Sequence, residues 1–117
     1  MLLGTARNTR EGILRVDLDA GGSLEVLATA DQSTLASTRV VIAINAEDLS
    51  LVAPSSAGPN CLSGEVDHFA YLGSHSDATI RLTNAAVRVR IPKGGHLQIG
   101  QEVGIVFPPD RVRLFRV

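Results

Sequence analysis

The chain has 117 residues, 44% of them hydrophobic, with a mean hydropathy of +0.18; that is material for one domain with a packed core, and it excludes intrinsic disorder. Eleven basic residues against twelve acidic ones leave a formal charge of −1, so no long-range field points to nucleic acid, acidic substrates or anionic lipid. Three Phe, one Tyr and no Trp make a base-stacking platform difficult to build.

Apolar positions recur with period two along the chain, and no window of eleven or more residues holds them at helical spacing, which predicts an all-β chain. Ile13, Leu14, Val16 and Leu18 lead to the turn Asp19-Ala20-Gly21-Gly22, after which Leu24, Val26 and Ala28 alternate with Ser23, Glu25 and Leu27; this predicts a hairpin. Arg39 to Ile44 is a continuous β-branched run of the kind buried on both faces, ended by Asn45-Ala46-Glu47-Asp48, and Leu49 and Leu51 begin a short strand. Residues 54–60 lie in a stretch with two Pro, one Gly and two Ser and no apolar period, so they read as a connector between a first half, 1–53, and a second, 61–117.

Five short strands are predicted after it: Glu65 to Leu72, Thr79 to Leu82, Val87 to Ile91, Glu102 to Phe107 and Val112 to Phe115. In the first of these, Val66, Phe69 and Tyr71 share a face only if one extra residue is accommodated near Asp67-His68, which predicts a β-bulge. A shift of 63 residues lays Val40 to Glu47 over Val103 to Asp110, Leu49 and Leu51 over Val112 and Leu114, and Leu24, Val26 and Ala28 over Val87, Val89 and Ile91. A shift of 60 lays Gly4 over Gly64. Two similar halves of short strands, one with a bulged first strand, predict a tandem OB-like small Greek-key barrel.

Several elements resemble one family. Ile44-Asn45-Ala46-Glu47-Asp48-Leu49, Gly64-Glu65-Val66 and Tyr71-Leu72-Gly73-Ser74 are similar to the Ile-Arg-Pro-Glu-Asp-Leu, Gly-x-Val and Tyr-Leu-Gly elements of the TOBE (transport-associated OB) domain, in the same order and over nearly the whole chain. Asn45 and Ala46 replace the usual Arg and Pro, so no contact of that Arg carries over. The resemblance implies a non-catalytic C-terminal regulatory domain of the ATP-binding subunit of a bacterial ABC importer. It would touch nucleotide-binding domains, pair with its own counterpart as a homodimer, and lie in the cytoplasm, peripheral to the inner membrane. Some TOBE relatives bind molybdate or tungstate, and Ser56-Ala57-Gly58-Pro59-Asn60-Cys61-Leu62-Ser63-Gly64 keeps Asn60, Leu62 and Gly64 of their Ser-Ala-Arg-Asn-x-Leu-x-Gly opening while lacking the Arg. An oxyanion-binding module is therefore the alternative expectation, and an OB-type single-strand nucleic-acid binder the second.

The chemistry in the residues is sparse. No glycine loop with Gly-Lys-Ser/Thr is present, and the only Lys, in Pro92-Lys93-Gly94-Gly95-His96, reads as a hairpin turn; neither ATPase chemistry nor a cofactor is expected. Ser74, His75 and Ser76 form a candidate oxyanion loop, where hydroxyls and backbone N–H groups hold a tetrahedral anion without a full counter-charge. Arg88 and Arg90 alternate with Val87 and Val89, so both guanidiniums leave the core-facing side; with Arg113 they form a candidate partner-contact face. His68, His75 and His96 fit no common zinc spacing, and for a nucleophilic site built from Cys61 and His68 the sequence supplies neither an orienting third group nor an oxyanion hole. The absence of a signal peptide and of any apolar run near twenty residues leads to the expectation of a soluble cytosolic chain.

Overall fold

The computed structural model describes residues 2–10 (backbone only for 8–10), 12–28, 35–54, 60–92 and 96–117; the turn at Lys93 and most of the connector, 55–59, lie outside them. Among the described residues ten strands are formed: β1 (Leu2–Arg10), β2 (Ile13–Leu18), β3 (Ser23–Leu27), β4 (Arg39–Ala43), β5 (Ser50–Val52), β6 (Cys61–Tyr71), β7 (His75–Arg81), β8 (Ala86–Pro92), β9 (Glu102–Val106) and β10 (Arg113–Arg116), with a 3-10 turn at Ala46–Asp48 before β5. Among the described residues there is no α-helix.

The strands make two curled antiparallel sheets, ordered β10-β4-β1-β2-β3 and β5-β9-β6-β7-β8. Each has one face on the core, built from Leu14, Val16, Leu24, Val26 and Val40 in one lobe and Val66, Ile80, Val89, Ile105 and Phe107 in the other, all with essentially no exposure. This is the period-two pattern expressed as burial. Under the internal repeat β1 to β4 correspond to β6 to β9, and β5 corresponds to β10. The fifth strand of each sheet nevertheless comes from the opposite side of the connector: β5 pairs with β9 and β10 with β4. The lobes have exchanged their closing strands reciprocally.

The bulge expected near Asp67-His68 is present, since Val66 pairs with Ile80 and His68 with Thr79. Four other expectations are corrected. β4 is not buried on both faces; its pattern alternates, because a single curled sheet has the core on one side only. Tyr71 does not pack, being 66% exposed: β6 is eleven residues long and carries its far end beyond the core, so the inward parity of Phe69 and Tyr71 continues where nothing remains to cover it. The strand expected from Thr79 begins at His75. Finally, Leu2–Arg10 is a full strand where none was expected.

The seam between the lobes is held by Asn60, which is buried and has a left-handed backbone (φ 61°). Its Oδ1 accepts the Glu25 N–H at 2.7 Å, its Nδ2 donates to the carbonyls of Glu25 at 2.7 Å and Phe107 at 2.9 Å, and its own carbonyl accepts the Phe107 N–H at 2.8 Å. β3 is a sheet edge, and the Asn60 amide pairs with it as one residue of an added strand would, satisfying groups that an edge leaves open.

Candidate functional site

The exchange of β5 places the acidic turn and β5 against the edge strand β8. Between them runs a groove of about 420 Å³, lined on one side by Glu47, Leu49, Ser50 and Leu51 and on the other by Val89 to Pro92, with His96 and Leu97 at its end. Arg90 lies here because β8 alternates: Val89 and Ile91 turn into the core, which sends Arg88 and Arg90 to the outer side. The Arg90 guanidinium donates to Glu47 Oε2 at 3.2 Å. Both side chains remain about half exposed, 43% and 59%, so this pair is weak and exchangeable. Arg90, the Ser50 hydroxyl and the His96 ring are a small set of anion-compatible donors on a mostly apolar wall. Glu47 stands where an anion would sit on Arg90.

The structure does not gather Ser74, His75 and Ser76 around one point. Ser74 is in the turn, exposed, with its Oγ 3.1 Å from His75 Nδ1. His75 and Ser76 open β7 and so point to opposite faces: Ser76 is buried on the core side, opposite Ile91, while His75 lies on the outer side. There His75 Nε2 stands 3.8 Å from Asp77 Oδ1, a buried oxygen without a hydrogen-bond partner, and that carboxylate opposes an anion at the outer end of the loop. Arg88 lies opposite Thr79 and Arg90 opposite Asp77. Arg113 sits on β10, paired with Ala43 in the other sheet, so the three arginines do not form one cross-strand row. His96 and Ser50 enter the groove without having been singled out as partners of Arg90. The signal available for them was the repeat, which aligns β5 with β10 but cannot say which sheet either strand joins. Among the described residues no three His, Cys, Asp or Glu side chains converge as a metal site, and no helix is long and apolar enough to cross a membrane.

Fold and site together define a small tandem OB-like binding module. A family model, the TOBE domain, matches residues 42–115, and the chain belongs to that family, one associated with ABC transport and made of non-catalytic binding modules. No curated protein matches in sequence. Among solved structures, the chain is similar to the cytoplasmic molybdate-binding protein ModG, crystallised with molybdate bound: the TM-score is 0.83 at 20% identity, covering 97% of this chain and 92% of that one. This overturns the expectation of a C-terminal accessory domain of an ABC ATP-binding subunit. In ModG the same two-lobed barrel makes up almost the whole chain, so the architecture does not imply an attached nucleotide-binding domain.

Proposed function

We propose that this chain is a cytoplasmic oxyanion-binding module for tetrahedral dianions of the molybdate, tungstate and sulfate class, with the groove beside β8 as its site. The observation that carries this reading is the end-to-end correspondence with the fold of a molybdate-binding protein. The chemistry of the groove supports it. Arg90 offers a planar pair of N–H donors suited to two oxygens of one anion, Ser50 adds a hydroxyl, and His96 adds a ring N–H. Entry requires Glu47 to leave Arg90. The Glu47 carboxylate is exposed enough to swing into water, so the anion replaces one charge-assisted hydrogen bond with another while gaining the remaining donors.

Thermal denaturation with molybdate, tungstate or sulfate tests the reading, because a ligand that binds only the folded state stabilises it by about 2.7 kcal/mol at one hundred times Kd. A saturable rise in Tm is expected, abolished by Arg90→Ala and strengthened by Glu47→Gln, which removes the internal competitor. Absence of any rise at millimolar anion refutes oxyanion binding. A rise kept in Arg90→Ala but lost in Ser74→Ala moves the site to the β6–β7 turn.

A further inference from the structure

The internal repeat locates in the second lobe the counterpart of the place that Asn60 fills in the first. A shift of 63 lays Glu25 over Arg88 and Ile44 over Phe107. In the first lobe the N–H and carbonyl of Glu25, on the open edge of β3, and those of Phe107, just after β9, are all bonded by Asn60, through its side-chain amide and its own carbonyl. At the matching place in the second lobe lies a cavity of about 240 Å³, between Ile44 just after β4 and Arg88 on the open edge of β8.

The backbone around this cavity is laid out as in the first lobe. The Leu82 N–H bonds the Ala85 carbonyl at 2.7 Å, and in the register that runs on from this hairpin every second residue of β8 bonds β7. Val87 and Val89 fall on the bonded positions, so the N–H and carbonyl of Arg88 turn outward, as those of Glu25 do on β3. Among the described residues no hydrogen bond engages the Ile44 backbone or the outward Arg88 backbone, and the cavity lining holds no side-chain amide. The space is also wider than its counterpart. Val87 and Ile44 stand where the first lobe has the larger Leu24 and Phe107, and they are half-buried where those two have no exposure.

We propose that this cavity binds small primary carboxamides in which two carbons separate the amide carbon from a carboxylate, the class of free asparagine. Asn60 is the template for the fit. The ligand's amide oxygen accepts the Arg88 N–H, and its NH2 donates to the carbonyls of Arg88 and Ile44, which is the full donor and acceptor capacity that an amide offers in one plane. The Ile44 N–H is then left for the carboxylate, which takes the part of the Asn60 main-chain carbonyl at the same separation from the amide. The Arg88 guanidinium, on the cavity lining, supplies the counter-charge, and the remaining walls are apolar side chains such as Leu2, Ile42 and Val87. Aspartate is rejected, because a second carboxylate in the amide position sets its oxygens against two carbonyls. The cavity shares only Leu49 with the groove proposed for oxyanions, so the two readings stand or fall separately.

Titration of the full chain with L-asparagine, followed by proton–nitrogen correlation spectra, is the test. Saturable shifts of the Ile44 and Arg88 amide signals are expected, with a dissociation constant of about 1 mM or below. The Glu25 and Phe107 signals, whose partner is Asn60, should not move. L-aspartate, and asparagine dimethylated on its side-chain nitrogen so that both amide donors are lost, should each bind at least about tenfold more weakly. Ile44→Phe combined with Val87→Leu gives the second lobe the side chains of the first, and should keep the far-UV spectrum while abolishing the shifts. No saturable shift by about 20 mM asparagine overturns the proposal, as do equal affinities for asparagine and aspartate or shifts retained in the double variant. Should that variant fail to fold, the dimethylated ligand decides on the parent chain: binding equal to that of asparagine refutes recognition of the amide.

Discussion

Replacing Asn60 with alanine removes three side-chain hydrogen bonds and gives up asparagine's tolerance of a left-handed backbone. The Glu25 N–H, the Glu25 carbonyl and the Phe107 carbonyl lose their partner at a position only 5% exposed, and an unsatisfied buried group costs about 1–3 kcal/mol. Partial access of water to a cavity the size of an amide lowers the total, and alanine at φ 61° adds only its smaller tolerance of that region compared with asparagine. The expected loss is about 3–5 kcal/mol, a large share of the roughly 5–15 kcal/mol that holds a domain together. Asn60→Gly should recover about 1 kcal/mol of it, because glycine accepts the backbone angle. Asn60→Asp keeps the acceptor for the Glu25 N–H but turns a second carboxylate oxygen toward two carbonyls; it should be no better than alanine at neutral pH and improve in acid as the carboxyl protonates. Urea denaturation followed by circular dichroism measures all three. A loss under about 1 kcal/mol for Asn60→Ala, or glycine no better than alanine, would show that the amide does not join the lobes as described.

Phe107→Ala should cost about 3–5 kcal/mol, since Phe107 is a large side chain with no exposure, whereas Tyr71→Ala should stay within about 0.5 kcal/mol; equal losses would mean the end of β6 is covered. Gly64→Ala should destabilise by about 1–3 kcal/mol, because a Cβ there would stand 2.5 Å from Ile80 Cγ2, and a neutral result would refute the close approach of β6 and β7. Hydrogen bonds from Arg7 and Arg39 respectively hold the carboxyls of Asp17 and Asp19 below their usual 3.8. With the folded value below the unfolded one, their contribution is present above about pH 4 and fades as pH falls through the depressed values. Arg39→Gln should therefore flatten the acid limb of a Tm–pH profile, and an unchanged limb would remove the Arg39–Asp19 pair from the account.

Sequence patterning named nine of the ten strands found among the described residues, β4 from a continuous β-branched run and the others largely from period-two alternation, because a curled sheet buries one face, and Val16, Val26, Ile80 and Val89 record that burial directly. It missed β1, where Gly4 and Thr5 interrupt the apolar set. Gly4 is there because a side chain would meet the Asp17 carbonyl at 2.6 Å, so the residue that weakens the strand signal is one that the strand requires. Its counterpart under the repeat is Gly64, which stands just before the strand expected from Glu65 and proves to lie inside β6. Tyr71 shows the opposite error: alternation gives the direction of a side chain and is silent about where the core ends.

The groove was illegible for a reason that lies in the two acidic turns. The connections from β4 to β5 and from β9 to β10, Ile44 to Leu49 and Phe107 to Val112, are each six residues, longer than the usual two to five of a hairpin loop. One of them holds the 3-10 turn Ala46–Asp48, stabilised by the Asp48 N–H on the Asn45 carbonyl. A chain returning to pair with the strand it has just left would use a shorter turn. Six residues, equal in both halves, carry the next strand over to the other sheet instead, and reciprocity lets both sheets close at once. Local patterning is the same for exchanged and unexchanged strands, so it cannot place Ser50 beside Arg90, forty residues away. Loop length can. Shortening 44–49 by two residues should force β5 back toward β4 and open the second sheet at β9, and loss of hydrogen-exchange protection in both β9 and β6 is the expected readout. Protection kept in β9 would show that the exchange does not depend on the length of the turn.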